Sequence, residues 1–190
     1  MGRPAVFLDR DGTIVREVDY LRSTRYLRLL PGAAGAIRQL NLAGYVVVVA
    51  TNQSGIARGL LTEDDLEGIH RTLIERLAKR GARIDAIYYC PHHPEAPVER
   101  YRRRCRCRKP QAGMLARAAR DLKLDLSRSV AVGDSARDIE AGRRAGCRTV
   151  LVRTGYGAKA EADLAQPPDH IASNLSQAAS WIVRRGKRTE

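Results

Sequence analysis

Apolar residues in this chain follow two rhythms. AVFLD (5–9) and YVVVVAT (45–51) are short unbroken apolar runs, the pattern of strands buried on both faces. IDAIYYC (84–90), SVAVG (129–133) and TVLVR (149–153) repeat it. Between them the period becomes helical. Pro31-Gly32 opens AAGAIRQLNLAG, which Gly44 stops. Thr62 with Asp65 has the form of a capping box, and the helix behind it sets Leu66, Ile69, Leu73 and Leu77 on one face before ending near Gly81. Further helices are predicted over 112–122, 136–145 and, after a polar Gly/Ala segment, 174–185. Strand alternating with helix predicts an α/β fold, a doubly wound parallel sheet with helices on both faces.

Ligands bind such sheets at the carboxyl ends of the strands. DRDGT (9–13) follows the first strand, TNQSG (51–55) the second, and GDSARD (133–138) the fourth, while CRKP (107–110) precedes a helix. Every polar cluster falls at one edge. Asp9 and Asp11 flank a single arginine, and residues i and i+2 can point the same way. Two such carboxylates repel, and a hard cation such as Mg2+ relieves the repulsion; Asp134, after the small Gly133, supplies a third oxygen. A carboxylate can also attack phosphorus while its neighbour moves a proton. Thr51 and Lys109 add a hydroxyl donor and a cation for the phosphoryl oxygens. Each motif alone is weak, since DxD occurs in solvated turns and GDxxxD caps helices. The four together, in this order, point to an enzyme.

A length of 190 residues suits one domain, taken as 1–185 with a mobile basic tail over 186–190. No run approaches the roughly 18 apolar residues of a membrane span, and no signal-peptide core precedes Asp9, so the expected compartment is the cytoplasm, without membrane partners. A net charge of +13 favours anionic partners, either nucleic acid or small phosphorylated molecules. With 5% aromatic residues, stacking platforms for nucleic acid are sparse. A chain this small suits a monomer.

Residues 90–109, CPHHPEAPVERYRRRCRCRK, hold three of the four cysteines and lack any periodicity. A long loop of this kind usually carries function. Disulfides are rare in the cytoplasm, and Cys105 and Cys107 sit too close in sequence to bridge each other. Cys90, His92, Cys105 and Cys107 instead form a ligand set of the type that closes a tetrahedral structural zinc site, with His93 the competing ligand. A nucleic-acid finger fits less well: C-x-C is tight, and no groove-reading helix follows. Arg108 and Lys109 come directly after Cys107, so a zinc knot here would present both to the active edge. Cys147 reads as a core thiol, and His70 and His170 as surface residues.

From Ala5 to about Gly157, DRDGT, Thr51, Lys109 and GDSARD together resemble the haloacid dehalogenase superfamily of phosphohydrolases. That resemblance implies a Rossmann-like fold with Asp9 as nucleophile and Asp11 as general acid/base. It places Mg2+ on the Asp9 side chain, the Asp11 backbone carbonyl and Asp134. Thr51 and Lys109 steady the phosphoryl group, and Asp138 holds Lys109 or a metal-bound water. ATNQSGIARG, CPHHPE and CRCRKPQAGM are similar, within the superfamily, to the heptose-bisphosphate phosphatases, whose near relatives act on histidinol phosphate. This implies a fold without a separate cap domain and a phosphorylated sugar as substrate, which loses its C7 phosphate through an aspartyl-phosphate in nucleotide-heptose synthesis. It implies substrate contacts from Glu17, Val18, Asp19 and Tyr20, from Asn52, Gln53 and Ser54, and from Arg108. The chain departs from those enzymes at Ser135, where they often carry Lys, and in a 17–20 loop without His-Gly. Both departures bear on substrate identity and anomer preference, not on the phosphatase chemistry.

Overall fold

A computed structural model describes residues 2–186. Six strands form one sheet: β1 (Ala5–Leu8), β2 (Val46–Asn52), β3 (Ala86–Cys90), β4 (Val130–Gly133), β5 (Arg148–Val152) and β6 (His170–Ala172). All pair in parallel, in the order β3-β2-β1-β4-β5-β6. Leu8 stands in register with Val49 on one side and Val132 on the other. The chain therefore winds outward in both directions from β1 and β4, as the alternating pattern predicts.

Successive strand residues point to opposite faces, and both faces are covered. Val6, Leu8, Val47 and Val49 pack under α1 (Ala33–Leu42), α2 (Glu63–Ala78) and α6 (Leu175–Gly186). Ala5, Phe7, Val46 and Val48 pack under α3 (Gly113–Leu122). Gly142 of α4 (Ala136–Arg144) lies against Ala131 on that same side, and the short α5 (Gly157–Ala160) follows β5. This double burial explains unbroken apolar runs where a half-exposed strand would alternate. The capping box of α2 forms, with Thr62 N donating to Asp65 Oδ2 at 2.8 Å and Asp65 N to Thr62 Oγ1 at 3.1 Å.

Between β1 and α1 there is only a 3-10 turn, Thr24–Tyr26, so no cap domain intervenes among the described residues. β6 escaped the sequence pattern, because three residues in a polar segment show no period. Of the two histidines expected at the surface, His70 is instead buried among Leu66, Ile69, Leu73 and Leu77 of α2, while His170 is half-buried in the edge strand β6, stacked on Trp181 at 4.8 Å. Cys147 is buried. Of the expected basic tail, Gly186 closes α6, and residues 187–190 lie outside the described residues.

Candidate active site

Asp9 follows the last residue of β1, and its N–H donates to Val132 O of β4 at 2.9 Å. It thus sits where the winding direction reverses, the usual ligand crevice of such sheets. Lys109 enters from the loop before α3 and is only 4% exposed. Its Nζ lies 2.7 Å from Asp9 Oδ1, 2.5 Å from Asp138 Oδ1 and 2.7 Å from Ala50 O. Three acceptors match the three ammonium hydrogens. Burial works against this charge, but Asp138 and Asp9 more than compensate and hold Lys109 above its ordinary range.

Carboxylate oxygens of Asp9, Asp134 and Asp138 lie within 4.8 Å of one another. Burial, with Asp138 and Asp11 adding and Lys109 opposing, raises Asp9 to about 6. Burial with Asp9 and Asp138 raises Asp134 to about 8. Crowded acids of this kind favour a divalent cation. The backbone around them is built for closeness. Gly12 and Gly155 have φ of 75° and 58°, and a Cβ on either would run into the Asp134 carboxylate. Tyr156 N donates to Asp134 Oδ2 at 2.8 Å, and Thr154 Oγ1 to Gly12 O at 2.6 Å. Asp138 works twice: its Oδ2 accepts Ser135 N at 3.0 Å and Ser135 Oγ at 2.6 Å at the start of α4, while Oδ1 faces Lys109.

The Asp11 side chain stands apart from this acidic group. Its oxygens accept Arg10 Nε at 3.1 Å, Arg10 Nη2 at 2.8 Å and Gln53 Nε2 at 2.9 Å. Gln53 Nε2 also reaches Thr51 Oγ1 at 2.9 Å, so the Thr51 hydroxyl keeps its own hydrogen to donate. Asn52 exchanges two hydrogen bonds with the backbone of Lys109, at 3.0 and 3.1 Å, and so sets the lysine's entry point.

These side chains open into a cleft of about 490 Å³. Glu17, Asp19, Tyr20, Asn52, Gln53, Ser54, Arg108 and Ser135 line it, whereas Val18 does not and is 38% exposed. Burial with the nearby Asp11 raises Glu17 above the ordinary carboxylate range. Arg58, His93, Arg137 and Tyr156 also line the cleft, and the sequence reading missed all four as cleft residues. Arg137 lies inside GDSARD, and Tyr156 follows β5 at the same edge, so the edge rule alone could have nominated both. Tyr156 reaches across the mouth to Asp19, Oη to Oδ1 at 2.6 Å.

Beside the cleft, the loop after β3 folds Cys90, His92, Cys105 and Cys107 onto one point. Sulfur–sulfur distances are 3.2, 3.2 and 3.5 Å, and His92 Nδ1 lies 3.4 Å from Cys107 Sγ and 3.7 Å from Cys90 Sγ. A tetrahedron with metal–sulfur bonds of about 2.3 Å has edges of roughly 3.7 Å, so the set is of a size to close on one ion. All four cysteines of the chain are unbridged. Hydrogen bonding with Cys90 lowers the pKa of Cys107 below the ordinary thiol range. His93 turns the other way, towards Arg58 at 3.5 Å. The loop is pinned to α2: Glu63 accepts Tyr101 Oη at 2.5 Å and Tyr89 Oη at 2.6 Å.

Comparison with known proteins agrees with this geometry. A family model described as HAD-hydrolase-like matches residues 106–178. The D-glycero-D-manno-heptose-1,7-bisphosphate 7-phosphatase of Thermosynechococcus vestitus is 47% identical, over 96% of this chain and 96% of its own. The D-glycero-beta-D-manno-heptose-1,7-bisphosphate 7-phosphatase of Rhodopseudomonas palustris is 49% identical over 76% of this chain and 80% of its own. The D,D-heptose 1,7-bisphosphate phosphatase of B. bronchiseptica, solved with magnesium and phosphate, superposes with a TM-score of 0.87 at 38% identity, covering 96% of this chain and 99% of that one.

Proposed function

Because this chain is a phosphatase that belongs to the D-glycero-D-manno-heptose-1,7-bisphosphate 7-phosphatase family, we propose that it removes the C7 phosphate of that sugar bisphosphate by way of an aspartyl-phosphate. The observation that carries the mechanism is the Asp9–Lys109–Asp138 contact beside Asp134 at the reversal point of the sheet. A carboxylate oxygen of Asp9 attacks phosphorus, and the bond from phosphorus to the C7 oxygen breaks. Asp11 gives its proton to that departing oxygen. Water then attacks the aspartyl-phosphate, Asp11 takes the water's proton, and Asp9 is released with inorganic phosphate. Lys109 and the Thr51 hydroxyl hold the phosphoryl oxygens in both steps.

Asp9, Asp134 and the Asp11 carbonyl would hold Mg2+, which neutralises charge on the phosphoryl group. The crowded, upshifted carboxylates fit such a cation. Cys90, His92, Cys105 and Cys107 would hold a structural zinc, because three soft sulfur donors and an imidazole select it over magnesium. Ligation through Nδ1 leaves His92 Nε2 protonated, so Arg103, now 2.6 Å from that nitrogen, has to yield its place on loading. Recognition of the sugar falls to Glu17, Asp19, Tyr20, Ser54 and Arg108 around the cleft. The product serves nucleotide-heptose synthesis for the lipopolysaccharide core.

Phosphate release from the heptose bisphosphate, histidinol phosphate, other sugar phosphates and nucleotides, with Mg2+ and with EDTA, tests this. The heptose bisphosphate is expected to give the highest kcat/KM, and only with Mg2+. Preference for histidinol phosphate would reassign the substrate, and undiminished turnover in EDTA would remove the metal from the mechanism.

A further inference from the structure

Arg10 carries the deepest buried charge of the described residues. It is 0% exposed, although it lies between two residues of the cleft. Its neighbours Asp9 and Asp11 line the cleft, while its own side chain runs beneath them towards α2. Every polar contact it makes is directed. Nε and Nη2 grip the two oxygens of Asp11 as a fork, Nη2 also donates to Gln53 Oε1 at 2.9 Å, and Nη1 lies 3.2 Å from His70 Nε2. A guanidinium only donates, so His70 accepts through Nε2 and carries its hydrogen on Nδ1. Burial keeps that ring neutral and suited to the task. His70 is itself wedged in the apolar stripe of α2, with Tyr89 of β3 at 5.9 Å.

A buried guanidinium needs partners for its N–H groups whatever its role; here two of them go side by side to the two oxygens of a single carboxylate that faces the cleft. The fork fixes both the position and the plane of Asp11. The side chain retains 19% exposure towards the cleft. Gln53 joins the same oxygen to Thr51, so the carboxylate and the hydroxyl donor are set by one hydrogen-bonded unit.

We propose that Arg10, seated on His70 and Gln53, is the positioning residue for proton transfer by Asp11. This rests on the acid/base role given to Asp11 above. Arg10 touches neither phosphate nor sugar; it acts through Asp11 alone. Without the fork, Asp11 rotates away from the oxygen it must protonate.

A double-mutant cycle on phosphate release from the sugar bisphosphate tests the proposal. Arg10→Met and Arg10→Lys are each made in the wild-type chain and in Asp11→Asn, with circular dichroism and thermal melting as controls for folding. Misplaced acid catalysis forfeits much of the 10²–10⁴-fold typical of general acid–base groups, so Arg10→Met is expected to lower kcat by about a hundredfold with KM little changed. Lysine keeps the charge but not the fork, so Arg10→Lys recovers part of the loss and guards against a Met variant that fails to fold. In the Asp11→Asn background both changes are expected to cost no more than about threefold, because groups that act as one unit are not additive. Equal losses in both backgrounds would overturn the positioning role of Arg10. Full turnover by Asp11→Asn itself would overturn the acid/base assignment instead.

Discussion

Asparagine at position 9 would keep the shape of the side chain and an oxygen that accepts from Lys109, but lose the charge that makes it a nucleophile and an ion-pair partner. Asp9→Asn is expected to lower kcat at least about a hundredfold while the protein stays folded, and residual turnover above that level would show that Asp9 is not the nucleophile. His70 gives a prediction on stability. Burial, with the Arg10 charge beside it, lowers its pKa to about 3 from an ordinary 6.5; Asp11 partly opposes. Between those values the unfolded chain binds a proton that the folded chain refuses, so His70 removes stability as pH falls from 6.5 towards 3. Urea melts at pH 7 and pH 4.5 are expected to show a smaller acid loss for His70→Gln than for the wild type. The sequence contained a signal for this residue that the reading passed over. His70 lies four after Leu66 and three before Leu73, on the apolar stripe itself.

At the scale of elements, two features carry the site: the carboxyl ends of β1 and β4, and the cysteine loop after β3. In the first, Asp9 and Asp134 have raised pKa values, about 6 and about 8 against an ordinary 3.8, chiefly through burial. A raised acid favours the folded state below its unfolded pKa and loses that advantage as pH rises through the folded value. Through these two groups the metal-free protein is therefore expected to lose stability from about pH 3.8 to pH 8, both acids contributing up to about pH 6 and Asp134 alone above it. Mg2+ replaces the protons, so its effect on the melting temperature of EDTA-treated protein should be larger at pH 8 than at pH 5.5. In the second, Arg108 and Lys109 follow directly on Cys107, and Arg108 Nη1 donates to His92 O at 3.1 Å. Cys107→Ser is expected to lower bound zinc well below one equivalent by elemental analysis. It should raise KM about tenfold, equivalent to about 1.4 kcal/mol of lost positioning, while the sheet stays folded by circular dichroism.

Across the whole molecule, the net charge of +13 is spread widely, and Arg58, Arg108 and Arg137 bring part of it to the cleft. Such a field speeds capture of an anionic substrate and is screened by salt. Raising ionic strength is expected to lower kcat/KM several-fold and leave kcat nearly unchanged, since salt screens charges at a distance far more than groups in direct contact. No helix among the described residues is long and apolar enough to cross a membrane. From the small size of the chain we propose a monomer, with specific activity independent of enzyme concentration.

The sequence by itself determined the alternation of strand and helix, the edge on which chemistry collects, and the residues gathered there. Those are local properties: an apolar run buried on both faces reads as a strand, and polar residues that follow such runs must lie at its carboxyl end. Tertiary structure decided what no spacing encodes. It turned Asp11 away from Asp134 onto Arg10, spent Asn52 on the backbone of Lys109, brought Tyr156 over the mouth, and chose His92 over His93 beside the sulfurs. The partners of the Asn52 and Tyr156 contacts lie 57 and 137 residues apart in the chain, while Asp11 and His92 take their places among near neighbours by the way the loops turn. Which of them meet depends on how the strands twist and the helices seat, which is settled by packing over the whole sheet and not by any window of the chain.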